Sequence, residues 1–129
     1  MLFNREDMVD HPYVVVAEDE AIIGFDLCHT VEEAGCEVQG PLPDLASATR
    51  ACQERRPDLA ILDINLGDEE VFPLADKLLA DDVKIIFHSG RYATEDIRQR
   101  YPDTIMVQKP CPPSLLLETV QRVLDTEMA

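Results

Sequence analysis

The sequence predicts a doubly wound α/β fold, a parallel sheet with helices on both faces, and two observations favour it. Five short apolar runs rich in β-branched residues alternate with five segments whose apolar residues recur at helical spacing. Each β–α unit spans roughly 20–25 residues, which gives every parallel strand the crossover that it needs to reach its neighbour. A chain of 129 residues, 46% of them hydrophobic, suits one such domain with a substantial core.

The strands and helices are predicted in strict alternation. Short apolar runs predict five strands, at Tyr13–Ala17, Cys36–Gln39, Leu59–Leu62, Lys84–His88 and Ile105–Gln108. Apolar residues at helical spacing predict five helices, with buried faces over residues 23–34, 45–52, 71–79, 93–101 and 116–124. Gly35 stands where the first helix needs a C-cap, and Arg55-Arg56-Pro57 closes the second. The fourth helix, which precedes Pro102, has a narrow apolar face.

Composition and charge argue against several classes of protein. No apolar run approaches the ~20 residues of a membrane span, and the N-terminal segment lacks the apolar core of a secretory signal. The net charge is −15, and the eleven Lys and Arg residues form no continuous basic stripe, which argues against nucleic acid as a direct partner. The four cysteines show no C-x-x-C pair and no zinc-ligand spacing, which predicts small buried thiols. These features predict a soluble cytoplasmic protein.

Polar side chains stand at the ends of four predicted strands. Glu18 and Asp19 follow the first strand, Asp63 follows the third, Ser89 the fourth and Lys109 the fifth. Each alone has an ordinary interpretation as a turn former, a surface charge or, for the acidic pair, a helix cap. Because the carboxyl ends of parallel strands share one edge of the sheet, where such folds bind ligands, the four together predict a site.

The residue types at these strand ends indicate phosphoryl chemistry. Carboxylates gathered at one point repel each other and raise their own pKa values unless a cation holds them together. Mg²⁺ suits such a place, since it takes oxygen ligands and uses one or two carboxylates together with phosphate oxygens. A carboxylate can also attack a phosphoryl group directly, while an ammonium and a hydroxyl neutralise the phosphoryl oxygens. Asp63, Ser89 and Lys109 supply these three types of group.

Four short motifs together resemble the receiver domain of two-component response regulators. They are VVVAED at residues 14–19, ILDINLGD at 61–68, FHSG at 87–90 and VQKP at 107–110. The resemblance extends from about Tyr13 to Glu127 and implies a flavodoxin-like sheet with the strand order 2-1-3-4-5. It implies one stand-alone receiver domain over residues 1–129, with a core at about 13–127 and an N-terminal extension at 1–12.

The resemblance also implies the metal site and the phosphoacceptor. Asp63 matches the aspartate that is phosphorylated and that binds Mg²⁺. Asp19 matches a direct magnesium ligand, Glu18 an outer-shell ligand that acts through water, and Asn65 the residue whose backbone carbonyl completes the protein ligands. Glu20, the third acidic residue of the triplet, is interpreted as the start of the first helix.

Two further matches and one departure concern the other side of the site. Ser89 matches the hydroxyl residue that contacts the phosphoryl group, and Lys109 matches the charge partner, with a cis peptide expected at Lys109–Pro110. The family usually has an aromatic switch residue three positions before this Lys, and here that position is Met106. Met106 is interpreted equally well as a core filler or as a modified switch. His88 is interpreted as a strand residue rather than as a ligand or phosphodonor.

The partners follow from the family as well. The resemblance implies phosphoryl transfer from a sensor histidine kinase or a histidine phosphotransfer protein, autodephosphorylation, and no turnover of external substrates. It allows a homodimer, while the charge and the lack of a long apolar run predict no direct contact with nucleic acid and none with a membrane. Two rival functions remain: a haloacid-dehalogenase-like phosphatase, whose nucleophile belongs in an Asp-x-Asp after strand one, and a pseudo-receiver that docks partners without phosphorylation.

Overall fold

The computed structural model describes the backbone of residues 11–90 and 94–128, and the side chains of residues 11–90 and 95–125. Most of the predicted N-terminal extension, residues 1–12, therefore lies outside the described residues, as does Ala93, the predicted start of the fourth helical face. Seven strands are described: β1 Tyr13–Ala17, β2 Glu37–Leu42, β3 Leu59–Asp63, β4 Asn65–Leu66, β5 Glu69–Glu70, β6 Lys84–Ser89 and β7 Ile105–Gln108. Five helices are described: α1 Ala21–Glu33, α2 Leu45–Glu54, α3 Phe72–Ala80, α4 Thr94–Arg100 and α5 Pro113–Met128.

Five of these strands form one parallel sheet in the order β2-β1-β3-β6-β7. Counted among themselves, the five strands run 2-1-3-4-5, so the predicted doubly wound, flavodoxin-like topology is confirmed. The remaining strands, β4 and β5, pair antiparallel as a two-residue hairpin directly after β3. This hairpin was not predicted from sequence, because two residues are too few to show a strand period.

The core lies on both faces of the sheet, as the buried central strands predict. Along β3, Ala60 and Leu62 pack into one cluster with side chains from α2, α3 and α4. Leu59 and Ile61 point the other way and pack with side chains from α1 and α5. All five residues of β3 are buried, since alternate side chains of a strand face opposite layers and both layers here are apolar.

The edge strand β2 departs from the prediction. It was expected over Cys36–Gln39, and it continues instead to Leu42 through Gly40 and Pro41. A Gly-Pro pair normally indicates the end of a strand. An edge strand tolerates Pro, however, because one side of its backbone needs no ladder hydrogen bond. Gly40 has φ +143, and a Cβ at this position would lie 2.5 Å from the carbonyl oxygen of Val16.

The helix ends follow from local chemistry. The side chain of Asp44 accepts a hydrogen bond from the backbone N–H of Ser47 at 2.7 Å and thereby caps the start of α2. Gly35 lies just past α1 with φ +89, which confirms its predicted role at the end of that helix. Among the described residues, no helix is long and apolar enough to cross a membrane.

Candidate functional site

The polar strand ends meet at one cavity of about 320 Å³, as the topology predicts. The described side chains and backbone around it come from the loop after β1, from β3 and the hairpin, and from the ends of β6 and β7: Asp19, Glu20, Asp63, Asn65, Gly67, Ser89, Gly90 and Lys109. The structure thus brings Asp19, Asp63, Ser89 and Lys109 to one place. Glu18 is not part of this lining and lies beneath it, with its side chain fully buried.

Lys109 is the centre of the charge arrangement. Its Nζ lies 2.7 Å from Oε1 of Glu18 and donates a hydrogen bond of 3.0 Å to Oδ2 of Asp63. A third carboxylate, Oε1 of Glu20, lies 3.6 Å from the same nitrogen. The Glu18 and Asp63 side chains are 0% and 6% exposed, whereas that of Glu20 is 61% exposed. Two buried acids therefore share one ammonium, and the local charge stays negative.

The pKa values of these groups follow from this crowding. Burial, together with the neighbouring Asp63, raises the pKa of Glu18 to about 8, against the opposing effect of Lys109. Burial also acts to raise the pKa of Asp63, but the neighbouring Glu18 and the ammonium of Lys109 outweigh it, so that this pKa is lowered. Burial works against the charge of Lys109, yet its two acidic partners raise its pKa. The structure therefore favours an ionised Asp63 beside a charged Lys109.

The hairpin after β3 holds two carboxylates in place with backbone N–H groups. The N–H of Asn65 donates to Oδ1 of Asp63 at 3.2 Å, and the N–H of Gly67 donates to Oδ2 of Asp19 at 3.2 Å. Gly67 makes the turn between β4 and β5 with φ +62, a conformation that glycine adopts without strain. The hairpin thus links the loop after β1 to the end of β3.

The donor set suits a hard divalent cation. Glu18, Asp19 and Glu20 each offer a carboxylate oxygen, and these oxygens lie within 4.8 Å of one another. Asp19, Asp63 and Asn65 line the same cavity with oxygen donors. Oε2 of Glu18 is buried and has no hydrogen-bond partner among the described residues. Excess negative charge and oxygen-only donors fit Mg²⁺.

Two contributors to the site, Glu20 and the N–H of Gly67, were not predicted from sequence. Glu20 was assigned to the start of α1, and it does precede that helix, but its side chain makes no capping hydrogen bond there. Its carboxylate instead faces Lys109. The N–H of Gly67 was also missed, because a backbone donor leaves no mark on residue type. The adjacency of Glu20 to the acidic pair was the one signal that pointed to its place.

The remaining predicted residues lie on β6 and β7. Ser89 ends β6 with 4% exposure, lines the cavity, and its carbonyl oxygen accepts a hydrogen bond from the N–H of Lys109 at 3.0 Å. The peptide bond between Lys109 and Pro110 is cis, as expected. His88 is buried within β6, in agreement with its interpretation as a strand residue, and burial lowers its pKa to about 4.

Met106 is half-buried on β7, next to Phe87 in the ladder. It packs against the cluster that holds three aromatic rings, those of Phe72, Phe87 and Tyr101. The hydroxyl of Tyr101 donates to Oδ1 of Asp76 on α3 at 2.7 Å. The cluster against which Met106 packs therefore includes an aromatic residue with a bonded hydroxyl, although that residue belongs to the segment after α4 rather than to β7.

Comparisons with known proteins agree with this geometry. A sequence model of the response regulator receiver domain matches residues 14–121. Two curated sequences of the transcriptional regulatory protein PdtaR, from strains of Mycobacterium tuberculosis, are 28% identical over 90 residues, which is 70% of this chain and 44% of theirs. The chain thus spans less than half the length of these curated relatives.

Solved structures share the fold. A response regulator receiver domain protein (CheY-like) from Methanospirillum hungatei superposes with a TM-score of 0.81 at 23% identity, over 92% of this chain and 98% of that one. The chemotaxis protein CheY4 of Vibrio cholerae superposes with a TM-score of 0.73 at 24% identity, over 88% and 99% of the two chains. At these identities the likeness is one of fold.

Proposed function

The chain belongs to the response regulator receiver domain family, and we propose that its phosphoacceptor is Asp63. Receiver domains are signalling modules rather than enzymes that turn over external substrates, and they generally interact with histidine kinases or histidine phosphotransfer proteins. The observation that carries the proposal is the position of the Asp63 carboxylate, at the end of β3, in the cavity and 3.0 Å from the ammonium of Lys109.

The transfer needs little from the protein beyond position and charge. A carboxylate oxygen of Asp63 forms a bond to phosphorus while the bond from phosphorus to the donor imidazole breaks, and the imidazole leaves with the electron pair. Because the pKa of Asp63 is lowered, the carboxylate is ionised and ready to attack at neutral pH. Lys109 neutralises charge on the phosphoryl oxygens, and Ser89 supplies a hydroxyl for one of them.

The residues that would hold Mg²⁺ are Asp19, Asp63 and the backbone carbonyl of Asn65, with Glu18 in the outer shell. A cation held by these residues would neutralise charge on the phosphoryl oxygens and on the two carboxylates. The hairpin supports this assignment, because its N–H groups already orient Asp19 and Asp63 towards one cavity. Met106 would replace the aromatic switch by packing alone or as part of a modified switch.

The proposal also covers the bounds of the domain, its location in the cell and its partners. The receiver core covers residues 13–127, works in the cytoplasm, and receives its phosphoryl group from a sensor histidine kinase or a histidine phosphotransfer protein. Autodephosphorylation resets it, and output passes through a protein partner, a second copy of the chain or onward phosphoryl transfer. The net charge of −15 supports the absence of direct contact with nucleic acid.

The test is covalent labelling with a small phosphodonor. The protein is incubated with acetyl phosphate and Mg²⁺, and intact mass is measured for the wild type, Asp63→Asn and Asp68→Asn. Asp68 is the matched control, since it is an exposed aspartate in the turn of the same hairpin. We expect a gain of about 80 Da, one phosphoryl group, in the wild type and Asp68→Asn and none in Asp63→Asn.

Two other results would contradict the proposal. If Asp63→Asn is labelled as strongly as the wild type, the phosphoacceptor is a residue other than Asp63. No labelling of any form, together with no effect of beryllofluoride on the NMR spectrum, would favour a pseudo-receiver that docks partners without phosphorylation. Addition of EDTA separates the role of the metal, because the proposed ligand set requires labelling to fall when the divalent cation is removed.

A further inference from the structure

A second cavity lies on the opposite face of the sheet from Met106, between α1 and α5. Its volume is about 170 Å³, and its walls are mostly apolar. The described residues that define it include Ile23, Leu27 and Thr30 of α1, His88 of β6, Cys111, and Leu116 of α5. None of these residues takes part in the phosphoryl site, although His88 precedes Ser89 and Cys111 follows the Lys109–Pro110 bond.

His88 is the unusual member of this lining. Its side chain is among the largest fully buried ones, with 2% of the residue exposed. Its Nδ1 is buried and has no hydrogen-bond partner among the described residues. Buried polar groups in proteins are nearly always hydrogen-bonded, because an unpaired one loses its water without replacement. An unpaired imidazole nitrogen in the wall of a cavity therefore points to a partner that enters the cavity.

The size and walls of the cavity limit what that partner can be. A cavity of about 150 Å³ lined by aliphatic and aromatic side chains holds one benzene ring, so that about 170 Å³ admits one ring with one small substituent. The residues that line the cavity are apolar except for Thr30, His88 and Asp26. Asp26 is exposed at this cavity, and α1 contains no Lys or Arg, which disfavours an anionic ligand.

We propose that this cavity binds a small neutral aromatic molecule, with one ring and one hydrogen-bonding group that pairs with Nδ1 of His88. The apolar walls from α1 and α5 hold the ring, and the hydrogen bond to His88 sets its orientation. Phenol is the matching probe, since its hydroxyl both donates and accepts and so pairs with either tautomer of the neutral imidazole. Binding involves no phosphoryl transfer and is independent of the role proposed for Asp63.

The test is a titration of the ¹⁵N-labelled protein with phenol, toluene and benzoate, followed by amide chemical shifts. We expect saturable shifts at the lining residues, with a Kd for phenol of about 1 mM, which is ordinary for a ligand of about seven heavy atoms. Toluene fills the same space without a hydrogen bond and should bind about 3- to 10-fold more weakly. Benzoate should bind at least about 10-fold more weakly, because its carboxylate is repelled by that of Asp26.

Two variants separate the nitrogen from the space. His88→Leu replaces the imidazole in the wall of the cavity with an apolar side chain, so this variant should bind phenol and toluene equally. Cys111→Trp, at a half-buried position in the wall, fills the cavity and should abolish the shifts with both ligands. The proposal is wrong if phenol gives no saturable shifts in the wild type, if toluene binds as well as phenol there, or if Cys111→Trp leaves binding unchanged. A cavity that holds only water would give the first of these results.

Discussion

Replacement of Lys109 by Met should lower the free energy of unfolding at pH 7 by about 3 kcal/mol. The ammonium lies 2.7 Å from Glu18 and 3.0 Å from Asp63, and neither carboxylate can turn to water, since their side chains are 0% and 6% exposed. Removal of one partner from a buried ion pair typically costs 3–5 kcal/mol, because a charge is left without compensation. Burial already raises the pKa of Glu18 to about 8, so a proton on that carboxyl relieves part of the loss.

The measurement is urea unfolding followed by circular dichroism in the presence of EDTA. With a slope of about 2 kcal/mol per molar urea, a loss of about 3 kcal/mol moves the midpoint down by roughly 1.5 M. Lys84→Met is the matched control, because Lys84 is exposed on β6 and its loss should change stability by less than about 0.5 kcal/mol.

A double variant sharpens the interpretation. Asp63→Asn removes the buried acid whose lowered pKa keeps it ionised at pH 7, so Lys109→Met combined with Asp63→Asn should lose less stability than the two single changes added together. Three outcomes would contradict the prediction: a cost of less than about 1 kcal/mol for Lys109→Met, an equal cost for Lys84→Met, or additive effects of Lys109→Met and Asp63→Asn. Each of these outcomes would mean that the buried carboxylates do not depend on the ammonium.

The cluster around Tyr101 and the contact between α1 and β2 carry the remaining predictions. Tyr101→Phe removes the 2.7 Å hydrogen bond to Asp76, which is itself about half exposed, and urea unfolding should show a loss of about 1 kcal/mol at pH 7. Burial, followed by the hydrogen bond to Asp76, raises the pKa of Tyr101 to about 12 from 10.0. The contribution of the protonated phenol is therefore complete below pH 10 and is lost as the pH rises towards 12, a decline that Tyr101→Phe should lessen. A decline that is equal in both proteins would assign the alkaline loss to other groups. In Gly24→Ala the new Cβ would lie 2.5 Å from Cβ of Pro41, and the overpacking cost of about 1–3 kcal/mol should outweigh the gain of about 1 kcal/mol in helix propensity. Thermal unfolding checks this against His29→Ala on the exposed side of α1, and a stabilised Gly24→Ala would show that the contact gives way at little cost.

The regular parts of the fold could be predicted because buried strands and buried helix faces consist of apolar residues. The strand β1 begins and ends at the predicted residues, since a parallel strand that is buried on both faces must be apolar along its length. The bounds of β7 are also as predicted, although this strand lies at the edge of the sheet and only Val107 is fully buried. The extension of β2 through Gly40 and Pro41 could not be predicted in this way. It depends on the position of β2 at the edge of the sheet, which tolerates a proline that a central strand would exclude.

The site shows the same division. The residues at the strand ends were predicted from sequence, because the topology of a parallel sheet brings its carboxyl ends to one edge whatever the side chains do. The ion pair between Glu20 and Lys109 was not predicted, since a carboxylate at the start of a helix has an equally good local explanation. The positions of the Asn65 and Gly67 N–H groups depend on a hairpin whose two-residue strands are too short to show a hydrophobic period in the sequence.

The pattern of residue types along the chain was enough to predict the alternation of strands and helices, the doubly wound class of fold, and the types of group available where the strands end. The strand order came from the family resemblance. The way in which those groups share their charges depends on the tertiary structure. Lys109 meets an aspartate 46 residues earlier in the chain and the buried Glu18 at the same nitrogen, and Nδ1 of His88 faces its surroundings unpaired among the described residues. Such contacts join side chains that are distant in sequence, and their distances and burial are set by the packing of every element between them.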